Sequence, residues 1–254
     1  MSFAERFKAE GWLQVDGIFP LALIDELREE FERQFTSLAA REDQGRDYLR
    51  VGDERMMLSI ALKGPFLDRR LYAQPVLLKI LRHFLAEDLL IDSLTCVVAL
   101  PGAGEQHAHR DHGELFHDDP DLNGQLPPYA VTVAVPLVDL SPETGTTKLL
   151  PGTHRGEQIL EPALPYLARG SCFLMDYRIE HYGTANHSAA RRPVLYCVFA
   201  RPWFTDIRNF RRQPRINIDR ADLQKIPAEH WPLFRRVAAK GAIDLAEKEL
   251  FAVQ

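Results

Sequence analysis

From residue 89 the sequence reads LLIDSLTCVVAL, an apolar run that ends at Leu100 and contains a single charge, Asp92. A run of this composition, followed by the turn residues Pro101–Gly104, predicts a buried β-strand. Four similar runs follow, separated by turn signals such as Asn123–Gly124 and Pro151–Gly152: Ala130–Val138, Thr146–Leu150, Ser171–Met175 and Val194–Ala200. Many short strands punctuated in this way predict a sandwich or barrel, for which the jelly roll is a common solution.

Upstream of these runs the pattern is mainly helical. The spacing of apolar residues predicts helices over Phe3–Glu10, from Pro20 to about Ala40 and over Pro75–Leu85, a short strand over Trp12–Val15 and a polar loop over Arg41–Glu54. We find no linker that would divide the chain. We therefore expect one domain over residues 1–254, with a helical part (about 1–88), a jelly-roll core (about 89–205) and a C-terminal helical tail (about 206–254).

The composition is that of an ordinary soluble globular protein, with 46% apolar and 26% charged residues. The formal net charge of −5 is spread along the chain and gives no electrostatic reason to expect nucleic-acid binding. The longest apolar run, Cys96–Pro101, is too short to span a bilayer, so we expect no membrane association. Cys96, Cys172 and Cys197 lie in apolar runs, which predicts buried thiols in a reducing compartment and a cytoplasmic location.

The segment Glu105-Gln-His-Ala-His-Arg-Asp-His112 holds three histidines and an aspartate. In an extended chain alternate side chains share a face, so His109 and Asp111 can point at one metal ion together. A third ligand must come from elsewhere, and His181, between an apolar strand and a Gly/Asn turn, is the best candidate. Two imidazoles and one carboxylate leave coordination positions open, as in non-haem Fe(II) oxygenases. Taken alone, His-x-Asp is a weak signal, because a histidine cluster on a polar loop can simply be solvated.

An arginine pair follows the third candidate ligand. Arg191 and Arg192 directly precede the predicted strand Val194–Ala200, and Arg192 lies eleven residues after His181. An arginine that enters a barrel strand near a metal can bind a carboxylate with two parallel hydrogen bonds, as the distal end of 2-oxoglutarate requires. The alternative is that the pair caps a surface turn. Arg50, Arg55 and Lys63 could also meet a substrate charge, and the sequence does not choose among them.

A second metal arrangement is physically possible. His107 shares the strand parity of His109, and His107-x-His109 followed by Glu114 is similar to the first metal motif of cupins. That arrangement would leave His181 and Arg192 without a role. A zinc hydrolase is a third possibility, because two histidines and a carboxylate also suit Zn²⁺.

Three motifs in this order resemble the phytanoyl-CoA dioxygenase-like Fe(II)/2-oxoglutarate oxygenases. They are Gln106-x-x-His109-x-Asp111, the segment Gly145-Thr-Thr-Lys-Leu-Leu-Pro-Gly-Thr-His154, and His181-x-Gly183-x-x-Asn186-x-Ser188-x-x-x-Arg192. The resemblance extends from residue 3 to about residue 205. It implies a double-stranded β-helix, that is, a jelly-roll core with flanking helices.

The resemblance also implies roles for individual residues. His109, Asp111 and His181 would be the iron ligands, and Arg192 would pair with the distal carboxylate of 2-oxoglutarate. Relatives often have a serine or another small residue at the position of Gly183, so the glycine would lose a hydroxyl contact with the co-substrate. Gln106 is a candidate to contact the co-substrate or to orient the site, and Thr132 is a weaker candidate for the same pocket. For His154 a structural role in its turn is favoured.

The activity implied is an Fe(II)-dependent hydroxylation that consumes molecular oxygen and decarboxylates 2-oxoglutarate to succinate. The expected substrate is a free small molecule, such as an amino acid or a secondary-metabolite intermediate, and the expected state is a monomer or homodimer. Retention of Asp111 favours hydroxylation over halogenation, because a small residue at that position would open a site for chloride. A non-catalytic jelly-roll binding protein is the rival from another functional class.

Overall fold

A seven-stranded antiparallel sheet lies at the centre of the computed structural model, which describes residues 2–36, 48–116, 118–157, 161–210 and 213–237. Its strand order is β1-β7-β5-β9-β4-β3-β2. The strands of this sheet are β1 (Trp12–Val15), β2 (Tyr48–Gly52), β3 (Arg55–Leu58), β4 (Leu90–Ala99), β5 (Ala130–Pro136), β7 (Cys172–Asp176) and β9 (Arg192–Ala200). All five β-runs predicted from residue 89 onward are thus strands, four of them in this sheet.

A smaller sheet covers one face of the large one. It consists of β6 (Thr147–Leu150) and β8 (Glu180–Gly183). Leu149 of β6 is fully buried in a cluster with Phe173 and Met175 of β7 and Ala134 of β5. Two sheets packed face to face around a shared core are the predicted jelly roll.

Most helices cover the opposite face of the large sheet. The helices are α1 (Phe3–Glu10), α2 (Leu21–Gln34), α3 (Arg69–Tyr72), α4 (Pro75–Leu85), α5 (Pro120–Gln125) and α6 (Arg220–Leu223), with short 3₁₀ segments at Gly64–Leu67, Thr153–Arg155 and Ala228–Phe234. Of these, α5 and the 3₁₀ segment at 153–155 lie against each other outside the main core. Leu27 of α2 and Leu81 of α4 share the main core with Leu195 and Phe199 of β9. Because side chains alternate along a strand, the intervening residues of β9 point to the other face, toward the small sheet.

The structure differs from the sequence-based expectation mainly before residue 89. Residues 48–52, expected to lie in a polar loop, form β2, which pairs with β3, and β3 pairs with β4. This hairpin forms one edge of the sheet within the region expected to be helical. It joins the sheet through the pairing of β3 with the distant β4, which local periodicity does not register. Helix α2 ends at Gln34, short of Ala40, and residues 37–47 lie outside the described ranges.

Strand β8, which carries His181, was not predicted as a strand. Among the described C-terminal residues, helical structure occurs in the short segments at 220–223 and 228–234 and in the residues just after them. The expected tail beyond 237 lies outside the described residues. The three cysteines are free and buried, as expected. In the described part of the chain, every helix is too short or too polar to cross a membrane.

Candidate metal centre

Three side chains of the predicted set converge on one point. His109 lies in the segment between β4 and α5, and its backbone exchanges two hydrogen bonds with that of His181, with N···O distances of 3.0 and 2.9 Å. Asp111 follows two residues later. Its Oδ1 lies 4.0 Å from Nε2 of His109 and 3.7 Å from Nε2 of His181. One ligand atom from each residue lies within 4.8 Å of the other two, and no other group of three in the described residues has this property.

Both imidazoles are held in the tautomer that metal binding requires. Nδ1 of His109 lies 2.9 Å from the carbonyl of His107, and Nδ1 of His181 lies 3.0 Å from the carbonyl of Ile179. A carbonyl only accepts, so each Nδ1 carries the proton and each Nε2 keeps its lone pair for a metal. Burial also lowers the pKa of His181, although the Asp111 carboxylate opposes this shift. The donor set and its orientation fit a divalent iron ion.

Arg192 enters the same cavity from the first residue of β9. Its Nη1 donates to the carbonyls of Thr144 (2.9 Å) and Thr184 (3.1 Å). The residue is 4% exposed, and burial lowers the pKa of its guanidinium to about 10, with the nearby Arg55 contributing to the shift. Gly145, at φ +76°, makes room for this guanidinium, because a Cβ there would lie 2.2 Å from Nη1 of Arg192.

A second guanidinium, that of Arg55 on β3, lies beside the first. Arg55 is 1% exposed, and its Nη2 donates to the carbonyls of Gly104 and Thr184, both at 2.9 Å. Thr184 O therefore accepts from both arginines. Arg55 was one of three cationic candidates in the sequence, and the signal that distinguishes it is its position in the apolar run Arg55-Met-Met-Leu58, which buries it.

Gly183 and Gln106 lie directly beside the guanidinium of Arg55. A Cβ at residue 183 would lie 2.4 Å from Nη1 of Arg55 and 2.7 Å from Oε1 of Gln106. Gln106 accepts from Gly183 N (2.9 Å) and donates to the carbonyl of Val51 (2.7 Å), so its amide joins β8 to β2. The guanidinium of Arg55 thus occupies the space that a side chain at residue 183 would fill.

These residues line one cavity of about 620 Å³. Val97, Val194 and Tyr196 form its floor near Arg192, and the Tyr196 hydroxyl lies 2.7 Å from Oγ1 of Thr147. Thr132 lines the same cavity from β5, opposite Val198 of β9. Val198 lies six residues from Arg192, or about 20 Å at ~3.3 Å per strand residue, so Thr132 is at the other end of the cavity from the arginines. Tyr177 and Asn209 also line it, and sequence reasoning did not single them out.

His107 lines the cavity but is not part of the metal-binding group, and Glu114 lies outside the cavity lining. His107 is exposed, and the Glu114 carboxylate lies 3.6 Å from Arg110, so the cupin-like arrangement is not assembled in the described residues. His154 is 6% exposed, and its Nε2 contacts the carbonyl of Lys8 at 3.1 Å. Its ring packs on Gly11, at the end of α1, so His154 ties its turn to the N-terminal helix.

Solved structures with this fold come from several oxygenase-like proteins. HygX from Streptomyces hygroscopicus, solved with nickel, 2-oxoglutarate and hygromycin B, superposes with a TM-score of 0.61 at 18% identity over 81% of this chain and 89% of that one. The non-haem α-ketoglutarate-dependent epimerase SnoN from nogalamycin biosynthesis gives 0.59 at 19% identity over 78% and 79%. At such identities the likeness establishes the jelly-roll fold.

Sequence comparison adds the family. The chain is 29% identical to "Dioxygenase cnsJ" of Penicillium expansum over 124 residues, which are 43% of this chain and 36% of that relative, so the match spans little more than a third of the relative's length. The sequence profile described as Phytanoyl-CoA dioxygenase (PhyH) matches residues 7–194, most of the chain. The protein therefore belongs to the phytanoyl-CoA dioxygenase family.

Proposed function

We propose that the protein is an Fe(II)- and 2-oxoglutarate-dependent dioxygenase that hydroxylates an unactivated C–H bond of a small molecule and converts 2-oxoglutarate to succinate. The observation that carries the proposal is the pair of buried guanidiniums, Arg55 and Arg192, in the cavity of the His109–Asp111–His181 group.

Among the residues that the structure describes, neither of these two cations has an anionic partner. Their hydrogen bonds go to backbone carbonyls and to no Asp or Glu oxygen among the described residues. A buried charge without a counterion is unfavourable, and two like charges side by side are more so. A bound carboxylate would relieve both costs, and the planar forks of two arginines suit its two oxygens.

The cavity has different protein groups for the two ends of 2-oxoglutarate. Arg192 and Arg55 would hold the distal carboxylate, while the keto acid end would lie toward the three ligands. Iron held by His109, Asp111 and His181 would supply the oxidative chemistry. Val97 and Val194 keep the floor of this half apolar, which excludes water from the reacting atoms.

A free small molecule is the proposed substrate class, and the complex of HygX with hygromycin B supports it by analogy of fold. We further propose a cytoplasmic monomer or homodimer that binds neither nucleic acid nor membrane.

The test starts with anaerobic protein loaded with Fe(II). Addition of 2-oxoglutarate should produce a weak visible charge-transfer band, and oxygen should then yield succinate. Arg192→Met removes one charge-assisted contact worth about 1.5–3 kcal/mol, so the dissociation constant of 2-oxoglutarate should rise about 10- to 140-fold. Arg191→Met is the matched control, because Arg191 pairs with Glu32 at the surface.

The rival functions give different results in the same experiment. A non-catalytic binding protein would show no band and form no succinate. A zinc hydrolase or a cupin-type enzyme would act without 2-oxoglutarate. If Arg192→Met and the wild type bound 2-oxoglutarate equally well, the co-substrate assignment would be wrong.

A further inference from the structure

The half of the cavity that lies away from the two arginines has a floor of hydroxyl-bearing side chains. Ser93 of β4 and Thr132 of β5 both pair with Val198 of β9, so the three side chains form one row across adjacent strands. Thr132 is 1% exposed, and its buried Oγ1 has no hydrogen-bond partner in the described residues. A buried hydroxyl without a partner is unfavourable unless a ligand satisfies it.

The facing wall is fixed by Asp206, which is fully buried. Its Oδ2 accepts from the Tyr177 hydroxyl (2.6 Å) and from Nδ2 of Asn209 (2.7 Å). Nδ2 of Asn209 also donates to the backbone carbonyl of Asp111 (2.8 Å). Both of its neighbours only accept, which orients the amide with its nitrogen toward them.

These hydrogen bonds determine which groups of Tyr177 and Asn209 remain free to bind a ligand. The Tyr177 hydroxyl hydrogen and both amide hydrogens of Asn209 are already used. What remains are the lone pairs of the tyrosine oxygen and of the Asn209 carbonyl oxygen, which are acceptors. This side of the cavity can therefore accept hydrogen bonds from a ligand but has no hydrogen left to donate.

The charges near Tyr177 and Asn209 also disfavour an anionic ligand group. The carboxylate of Asp206 lies directly behind the two acceptors. Arg110, the other cation that lines the cavity in the described residues, is engaged by Glu180 at 3.3 Å and by Glu114 at 3.6 Å. A carboxylate or phosphate placed against Tyr177 and Asn209 would meet oxygen lone pairs and a negative charge, and among the described residues that line the cavity no free cation lies at this end.

We infer that the substrate group inserted beside the metal ligands is a hydroxyl or an amine, and that the substrate is a polyol or amino-polyol that carries no acid group at this end. Its O–H or N–H groups donate to Asn209 and Tyr177, and the hydroxyls of Ser93 and Thr132 complete its hydrogen bonds. The inference rests on the proposed function and assigns the substrate class of the same cavity.

The test uses anaerobic protein loaded with Fe(II) and 2-oxoglutarate, with ligand binding followed by NMR. The probes are cyclic polyols and methyl glycosides, each compared with its amino and its carboxylate counterpart. Metal-induced broadening of probe protons reports binding beside the ligands. We expect broadening by polyols or their amino counterparts at concentrations where the matched carboxylates show none. Preference for the carboxylates, or broadening by none of the polyols and amines, overturns the inference.

Thr132→Val supplies the residue-level test, because it keeps the side-chain shape and removes the hydroxyl. The affinity for the best probe should fall about five- to tenfold, the effect of one lost hydrogen bond. Thr36→Val, at an exposed threonine, is the control and should change nothing. If Thr132→Val weakens 2-oxoglutarate binding instead, Thr132 belongs to the co-substrate half and the inference is wrong.

The two proposals fail separately. Absence of the charge-transfer band in the wild type would remove the proposed function. A normal band together with binding of carboxylate probes would remove only the substrate class.

Discussion

Replacement of Gly183 by alanine tests the relation between this glycine and Arg55 directly. The new Cβ would lie 2.4 Å from Nη1 and 2.8 Å from Cζ of Arg55, closer than side-chain atoms tolerate. Gly183 lies in β8 without a positive φ, so its backbone accepts alanine. The clash therefore falls on the far ends of two flexible side chains, Arg55 and Gln106 (2.7 Å from its Oε1), and the closer contact forces Arg55 away from the position next to Arg192.

The expected effect on stability is small. Alanine in a strand gains about 0.5–1 kcal/mol over glycine from reduced unfolded-state entropy, which offsets part of the rearrangement. The effect on co-substrate binding is larger. If displacement removes one charge-assisted hydrogen bond of about 1.5–3 kcal/mol, the dissociation constant of 2-oxoglutarate rises at least about tenfold.

The assay combines an anaerobic 2-oxoglutarate titration, followed at the charge-transfer band, with urea unfolding of the metal-free protein. Gly104→Ala is the matched control, because it also lies beside Arg55 but has no atom within 4 Å of the added Cβ. Arg55→Met should weaken binding by itself, and adding Gly183→Ala to it should cause little further loss.

Two results would refute this reasoning. Unchanged 2-oxoglutarate affinity in Gly183→Ala would show that Arg55 does not hold the co-substrate. An equal, additive loss in the Arg55→Met background would show that Gly183 acts on binding independently of Arg55.

Three further predictions concern other parts of the site and fold. Asp111→Ala should nearly abolish succinate formation and Fe(II) binding, measured by calorimetry, and wild-type turnover would remove Asp111 from the centre. Gly145→Ala (φ +76°, Cβ 2.2 Å from a guanidinium) should destabilise the protein more than Gly102→Ala (φ +80°, open space) in urea unfolding, and equal losses would mean that φ alone matters. Burial holds the pKa of His154 below 6.5, so the unfolded chain binds more protons in mild acid and the free energy of unfolding falls below pH 6.5, by at most about 1.4 kcal/mol per pH unit. His154→Gln should flatten that dependence, and an unaltered slope would assign it to other groups.

The strands from residue 89 onward were predictable because their apolar runs are long and end in turn residues. The candidate ligand set was predictable as well, since the three motifs lie in a fixed order, and the structure places His109, Asp111 and His181 together. The β2–β3 hairpin was not predictable, because β3 is stabilised by pairing with β4, and β2 pairs in turn with β3. Arg55 was one candidate among three until that pairing placed it in the cavity.

The sequence by itself determined which residue types would meet at the centre, because ligand chemistry and turn residues are local properties of the chain. Only the tertiary structure decided which arginine lies beside Arg192 and which side chain fills the space next to Gly183. It also decided which hydrogen atoms of Tyr177 and Asn209 are engaged in hydrogen bonds within the protein. These features depend on contacts between segments as far apart as β3, β8 and residues 206–209, and the free energy of such contacts does not appear in any local pattern.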